Sequence, residues 1–314
     1  MLDVIAIGEL LIDFASVDVN EEGYPTLVAQ PGGAPANFLA ALAKFGRKTS
    51  LIAKVGDDAF GHLLEKTMNE IGVDTSNLIV DPSVFTTLAF VTLDANGDRS
   101  FSFARKPGAD TQIQFHEIDP TLVEKCQVVH FGTLSLTDEP ARSTTIQLIE
   151  MAKKQNKLIS FDPNLRKPLW DSMDDLYNAV HEFIPLAHVL KISNEELEFL
   201  TGKTEMEDAL EQLFVGNVKM IIYTKGAEGA ECYTRNAKAA AACEKVKAID
   251  TTGAGDAFIG SFLYQLFQDG VKADTLENVT ADKMEAYLAF SNKFCGYSVQ
   301  RKGAIASYPT KNDL

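Results

Sequence analysis

The sequence has few basic residues for its acidic content. Its 314 residues include 29 Lys and Arg against 44 Asp and Glu, a formal net charge of −15. Nucleic acids and anionic membranes bind basic surfaces, so this balance argues against both as partners. It does not exclude an anionic nucleotide, because one local pocket can be positive on an acidic protein.

Cysteine, histidine and long apolar runs are also scarce. The four cysteines include no C-x-x-C pair and have no histidine at ligand spacing, and the five histidines are dispersed. We therefore expect reduced packing cysteines in a cytoplasmic protein, with no zinc or redox site. No run is long enough to span a bilayer. The N-terminal MLDVIAIGELLIDF carries acids and no basic region, which predicts a first strand and not a signal peptide.

Two common nucleotide-binding motifs are absent. The chain has no G-x-x-x-x-G-K-[ST], which argues against a P-loop. The stretch GAGDAF at 253–258 lacks the third glycine of a dinucleotide fingerprint and comes late in the chain. A nicotinamide-dependent enzyme is therefore a poor interpretation.

What the chain does contain is an alternation of apolar strands and amphipathic helices. Apolar residues make up 46% of the sequence, enough for one large core with a small appendage. Strands are predicted at 4–7, 51–55, 128–131, 158–161, 188–192 and 220–224, with helices between them and later antiparallel strands at 229–234 and around Ala248. This order predicts an α/β fold with a mainly parallel sheet covered by helices on both faces.

Two stretches break the alternation. Residues 10–28 are extended but interrupted by polar side chains, and residues 86–93 and 100–104 flank Asp-Ala-Asn-Gly-Asp at 94–98. An Asn-Gly pair between alternating strands is a strong hairpin signal. The two stretches together predict a small second sheet at one edge of the main domain.

Two glycine-rich turns precede helices. The first covers 30–37, and the second, at 251–255, leads into an apolar helix with Asp256 in its first turn. Free N–H groups at such a turn suit a phosphate or another oxyanion. From the residues alone, Asp256 is either a helix cap or a base that takes a proton from a hydroxyl.

Polar residues follow several of the predicted strands. They include Asp13, Asp162, the segment 193–196 and the segment 224–229. The carboxyl ends of parallel strands share one edge of a sheet, where α/β proteins bind ligands. Taken singly, Asp13 could cap a turn, and Asn37 and Asn292 could be ordinary polar residues of helices.

Paired motifs carry a family resemblance. GGAPAN at 32–37 and DTTGAGDAF at 250–258, together with GELLID at 8–13 and RKGA at 301–304, resemble the signatures of the ribokinase-like carbohydrate kinases over essentially the whole chain. The resemblance implies a three-layer αβα sandwich with a small β-sheet lid over a sugar. Its boundaries would be 1–12, 31–85 and 106–314 for the main domain, and 13–30 and 86–105 for the lid.

Three further stretches resemble the fructokinases of bacteria and plants. They are RKPGAD at 105–110, FDPNLRKPLW at 161–170 and KISNEELEFLTG at 191–202. Two positions depart from the family pattern. Ala104 stands where relatives usually have an aromatic residue, and Ser193 replaces the asparagine of an N-x-x-E motif, although Glu196 keeps its glutamate.

The resemblance implies roles for individual residues. Asp256 would be the general base, with the anion hole formed by Gly253, Ala254 and Gly255. The sugar would be bound by Asp13, Gly32, Gly33, Asn37, Arg105 and Arg166. The nucleotide would be bound by Asn194, Thr224, Gly226, Gly229 and Asn292. Glu196 would act near Mg²⁺ through water, and a monovalent cation would be held by Asp250, Thr252, Ser298, Gly303 and Ser307.

The implied activity is phosphorylation of a sugar by ATP, with Mg²⁺ and a monovalent cation such as K⁺. Fructose is the expected substrate, and a keto sugar acid, 2-keto-3-deoxygluconate, is the alternative because arginines also suit a carboxylate. A catalytically silent sugar-binding regulator is a more distant alternative for the function of the chain. Exposed lid edges also suggest a homodimer.

Overall fold

Thirteen strands form two sheets in the computed structural model, which describes residues 2–93 and 99–314. The larger sheet has the order β13-β12-β11-β10-β9-β8-β1-β4-β5. Its strands are β1 Val4–Ile7, β4 Thr49–Gly56, β5 Val73–Asp81, β8 Val128–Phe131, β9 Leu158–Phe161, β10 Val189–Ser193, β11 Met220–Thr224, β12 Ala230–Tyr233 and β13 Lys238–Ala241. Pairing is parallel from β5 to β11, and β12 and β13 are antiparallel.

Helices cover both faces of this sheet, because alternate strand residues point to opposite sides. In β1, Val4 and Ala6 belong to one buried cluster, and Ile5 and Ile7 to the other. The first cluster contains residues of α1 Ala34–Lys44, α2 Ala59–Ile71, α8 Ala254–Gln268 and α9 Ala281–Ser298. The second contains residues of α3 Thr121–Lys125, α4 Ala141–Lys154, α5 Met173–Phe183, α6 Asn194–Thr201 and α7 Met206–Leu213. The predicted αβα architecture is confirmed.

The smaller sheet has the order β3-β2-β6-β7. Its strands are β2 Leu11–Val19, β3 Pro25–Gly32, β6 Leu88–Leu93 and β7 Arg99–Ala104. The two extended stretches of the sequence therefore do pair, through β2 and β6. The hairpin turn predicted at 94–98 lies outside the described residues.

Some predicted elements differ from the structure. The glycine-rich turn expected from residue 30 begins later, because Gln30 to Gly32 belong to β3. Ala248, expected in a strand, lies in irregular chain, and the last strand of the sheet is β13. The edge strand β5 was not predicted, since polar residues 74–77 interrupt its apolar pattern. Of the helices in the described ranges, none is long and apolar enough to cross a membrane.

Candidate active site

A cleft of about 660 Å³ separates the two sheets. Asp13, Gln30 and Phe103 of the small sheet line one side, and the turn before α8 lines the other. The cleft lies where β1, β9 and β10 end, which is where the parallel sheet was expected to bind a ligand. The walls are formed by Glu9, Leu11, Asp13, Ala15, Ser16, Gln30, Gly33, Ala34, Asn37, Val91, Phe103, Leu134, Asn164, Arg166, Lys191, Glu195, residues 249–256 and Lys302.

The two glycine-rich turns meet in this cleft. Asn37 Nδ2 donates a hydrogen bond of 2.9 Å to Asp256 Oδ2, across 219 positions of sequence. Asn37 Oδ1 is buried and has no partner among the described residues, so it is an acceptor available to a hydroxyl. A sugar hydroxyl at this point would contact residues of both glycine-rich turns.

The turn at 253–255, predicted to form an anion hole, leads into α8 at the edge of the cleft. Gly253 has φ 72°, and a side chain there would lie 2.6 Å from Tyr308 Oη, which donates to the Gly253 carbonyl. No side chain caps the N-terminus of α8. Ala254 N donates to the Thr251 carbonyl at 3.2 Å, and no side chain caps the N–H groups of Gly255 and Asp256, which stand at the positive end of the helix dipole.

Burial gives the Asp256 carboxyl the properties of a base. Desolvation raises the pKa of Asp256, and the Asn37 hydrogen bond and the charges of Arg166 and Lys191 oppose that rise. A carboxylate whose pKa moves toward neutrality accepts a proton more readily than an exposed one. The cap interpretation has no hydrogen bond to support it, because the N-cap of α8 is Gly253.

Asp13 extends from the small sheet into the cleft. Burial raises the pKa of Asp13 to about 6, with Arg166 opposing the rise and Asp256 and Asp250 adding to it. A side chain on Gly32 would lie 2.2 Å from Asp13 Oδ2, and one on Gly33 would lie 2.4 Å from the Glu9 carbonyl. Gly32 thus allows β3 to approach the Asp13 carboxylate closely, and Gly33 allows the following turn to approach the backbone of Glu9.

The two predicted arginines occupy different places. Arg166 lines the cleft at φ 42°, two residues after Asn164 at φ 45°. Arg105 lies beside a separate cavity of about 490 Å³, and its guanidinium is 2.7 Å from Asp110 and 3.3 Å from Asp138. Its predicted contact with sugar stays a prediction.

Glu9, Lys191 and Asn164 line the cleft but were assigned no role from the sequence. Glu9 Oε1 accepts a 2.7 Å hydrogen bond from Ala34 N, which fixes the first glycine-rich turn. Burial raises the pKa of Glu9 to about 7. Its position two residues after β1 was the available signal, since polar residues at strand ends mark such sites.

The residues predicted to bind nucleotide lie along the neighbouring strand ends. Strand register places Thr224 opposite Ser193, the residue before Asn194, and Ala230 opposite Ala241. Asn292 Nδ2 donates to the Ala241 carbonyl at 2.8 Å. Gly226 and Gly229 form the turn from β11 to β12. None of these five predicted residues is among the side chains that line the main cleft within the described ranges.

The predicted cation ligands form two hydrogen-bonded groups. Asp250 accepts from Thr252 N and Oγ1 and from Gly303 N, at 3.0, 2.6 and 2.9 Å. Ser298 Oγ and Ser307 Oγ are hydrogen-bonded to each other, and Ser307 also donates to Ala304. The Asp250 group includes Thr252, so it adjoins the turn at 251–255, and its predicted role as a cation site stays a prediction.

No side-chain cluster on residues 2–93 and 99–314 has three or more His, Cys, Asp or Glu groups arranged to hold a metal. Glu196, predicted near Mg²⁺, closes a capping box in which Ser193 N donates to its Oε2 at 2.7 Å. Mg²⁺ bound with a nucleotide takes most of its ligands from phosphate and water, with one or two carboxylates. This donor set is compatible with that mode.

Solved kinase structures share the fold of this chain. One is the fructokinase with bound ATP from Xylella fastidiosa, with a TM-score of 0.90 and 29% identity over 100% of this chain and 97% of that chain. Another is a double mutant of fructokinase from Vibrio cholerae O395 with fructose, ADP and potassium ion bound, with a TM-score of 0.87 and 31% identity over 99% and 97%. The architecture is that of a sugar kinase with a ribokinase-like fold.

The chain belongs to the pfkB family of carbohydrate kinases, whose model matches residues 1–311. It is similar to fructokinase-1 of Oryza sativa subsp. japonica, with 38% identity over 316 residues, 99% of this chain and 96% of that protein. The family and fold that the motifs implied are thus confirmed. The roles of individual residues stay predictions.

Proposed function

We propose that the chain is an ATP-dependent fructokinase, which transfers the γ-phosphoryl group of ATP to D-fructose and releases D-fructose 6-phosphate and ADP. The similar plant and bacterial proteins named above are fructokinases, which supports fructose as the sugar. The observation that carries the chemistry is the Asn37–Asp256 contact. It places a buried carboxylate beside a backbone anion site, in a cleft large enough for a sugar.

The reaction follows from the placement of these groups. Asp256 takes the proton from the attacking hydroxyl, which then bonds to the γ-phosphorus in line with the departing ADP oxygen. The N–H groups of residues 253–255 bind the equatorial phosphoryl oxygens as charge develops. Asp13, Gly33, Asn37 and Arg166 orient the sugar, and the small sheet keeps water away from the transferring group.

The nucleotide would extend along the ends of β10 and β11. Asn194 and Thr224 are neighbours there, and the turn of Gly226 and Gly229 leaves room for phosphates and ribose, with Asn292 toward the base. Mg²⁺ bound to ATP would neutralise phosphate charge. Glu196 would orient water around that ion.

A coupled assay of ADP release against a panel of sugars tests the function. The highest kcat/KM is expected for D-fructose among hexoses, pentoses and keto sugar acids. A higher value for 2-keto-3-deoxygluconate would replace fructose by that acid, for which Arg166 would bind the carboxylate. No sugar-dependent ADP release with any of them would favour the silent sugar-binding regulator.

We propose that a monovalent cation such as K⁺ is bound by oxygens of Asp250, Thr252, Ser298, Gly303 and Ser307. Such an ion would order the 251–255 turn without contacting the sugar, and the similar Vibrio cholerae fructokinase structure contains potassium. Turnover is expected to be higher in K⁺ than in tetramethylammonium at equal ionic strength. Equal rates in the two salts would remove the cation from the proposal.

The small sheet, residues 13–30 and 86–105, is the proposed lid over the main domain of residues 1–12, 31–85 and 106–314. Its hairpin exposes 58% of Val19, 67% of Tyr24 and 42% of Val28. Exposed apolar residues on a sheet with open edges favour pairing with a second copy, so we propose a homodimer through the lid. Light scattering should give a dimer for the native chain and a monomer for Tyr24→Glu.

A further inference from the structure

We infer that Lys191 is a phosphoryl-binding residue of this site: its ammonium group, held by Asp162, binds the group in transfer beside the turn at 253–255. This inference rests on the proposed kinase function. It concerns the phosphoryl group and not the identity of the sugar.

The strand positions Lys191 at the floor of the cleft. Lys191 belongs to β10, and the register of β10 with β9 makes Asp162 its neighbour at the strand ends. Its side chain is 7% exposed and lines the cleft. Lys191 Nζ lies 3.2 Å from Asp162 Oδ1 and 3.1 Å from Oδ2. The ion pair thus fixes a long, flexible side chain in one conformation.

The ammonium group lies against the predicted anion hole. A Cβ placed on Gly255 would be 3.2 Å from Lys191 Nζ and 3.8 Å from its Cε. Glycine at this position therefore lets the ammonium approach the backbone of the first turn of α8. Its positive charge adds to that of the N–H groups at the helix N-terminus.

The contacts of the Lys191 ammonium group leave an N–H donor for an anion. Both observed contacts of the ammonium, within the described part of the chain, are to Asp162. An ammonium has three N–H donors, so at least one remains for a ligand. Asp162, Glu196 and Asp256 all act on Lys191, and burial raises the pKa of Asp162 while Lys191 lowers it. The Mg²⁺ ion bound with the nucleotide would offset part of this negative charge.

A purely structural ion pair makes a different prediction from a phosphoryl-binding lysine. Replacing both members of a buried pair by neutral side chains is often tolerated, whereas removing one member leaves an unpaired charge. The single variant Lys191→Met and the double variant Lys191→Met/Asp162→Asn separate the two roles. The double variant carries no unpaired buried charge at this pair and should recover stability.

Steady-state kinetics of both variants test the inference. Loss of one oxyanion donor lowers kcat by about 10²–10³-fold, and this loss is expected in both, with little change in the KM for sugar. The matched control is Lys54→Met, which removes another buried lysine, 2.7 Å from Glu117 and outside the cleft. That control should lose stability and keep kcat. Recovery of kcat to within a few-fold of the native value in the double variant would overturn the inference.

Binding gives a readout independent of turnover. We expect both variants to bind ADP as the native chain does. Their affinity for ADP with aluminium fluoride and saturating sugar, a mimic of the group in transfer, should be weaker. Equal affinity of native and double variants for this mimic would also overturn the inference. If the native chain fails with fructose but uses another sugar, the same measurements are made with that sugar, so the two proposals fail separately.

Discussion

Asp256→Asn is expected to abolish nearly all sugar phosphorylation and leave nucleotide binding intact. The amide keeps the size of the carboxylate but cannot take a proton, and general-base catalysis contributes about 10²–10⁴-fold to rates. The remaining N–H groups of the α8 turn still attract phosphate. Initial rates of ADP release, with nucleotide affinity from calorimetry, measure the two effects separately.

The control must separate base catalysis from the charge of an acid near a helix N-terminus. Asp282 is an acid in the first turn of α9 and is exposed. Asp282→Asn removes the same charge from the first turn of another helix and should leave kcat unchanged. Phosphorylation by Asp256→Asn at more than a tenth of the native rate would remove Asp256 as the base.

Asp13→Ala is expected to lower kcat/KM for the sugar by about 10³-fold or more and to leave the KM for ATP unchanged. A site built to accept hydrogen bonds from hydroxyls loses a factor of this order when a partner is missing. The carboxylate lies at the small sheet, away from the predicted nucleotide residues. Asp18→Ala, on the same strand but exposed, is the matched control and should leave kcat/KM unchanged.

The pH dependence follows from the same residue. Only the ionised Asp13 carboxylate accepts hydrogen bonds through both oxygens, and its pKa is raised to about 6 by burial. The kcat/KM for sugar should therefore be at its maximum well above pH 6 and should fall as the pH drops through that value. Protonation of Asp256, whose pKa is also raised, should make this fall steeper. A kcat/KM that stays constant down to pH 5 would contradict this role of Asp13.

The local pattern of apolar and polar residues was sufficient to predict much of the larger sheet. Strands β8, β9 and β11 were predicted to the residue, because their apolar runs are short and bounded by polar residues. Strand β5 was not predicted, because the polar residues 74–77 interrupt the apolar pattern of this edge strand. The contact between Asn37 and Asp256 could be expected only through the family motifs, since no local pattern relates residues 219 positions apart.

The site was harder to predict than the fold. Glu9 and Lys191 were assigned no role from the sequence. Their positions in the cleft depend on which strands become neighbours in the sheet. The predicted contact of Arg105 with sugar stays a prediction. The sequence did not indicate its charged partners, since the structure places its guanidinium 2.7 Å from Asp110 and 3.3 Å from Asp138.

Strands β2 and β3 leave the central sheet and return to it through very short connections. Only residues 8–10 separate β1 from β2, and Gly33 alone separates β3 from α1. We expect that a tilt of the small sheet would shift Asp13 relative to Asn37, because so few residues connect the two. Hydrolysis of ATP without sugar should then be slow, because the sugar-binding groups and the base would be out of alignment.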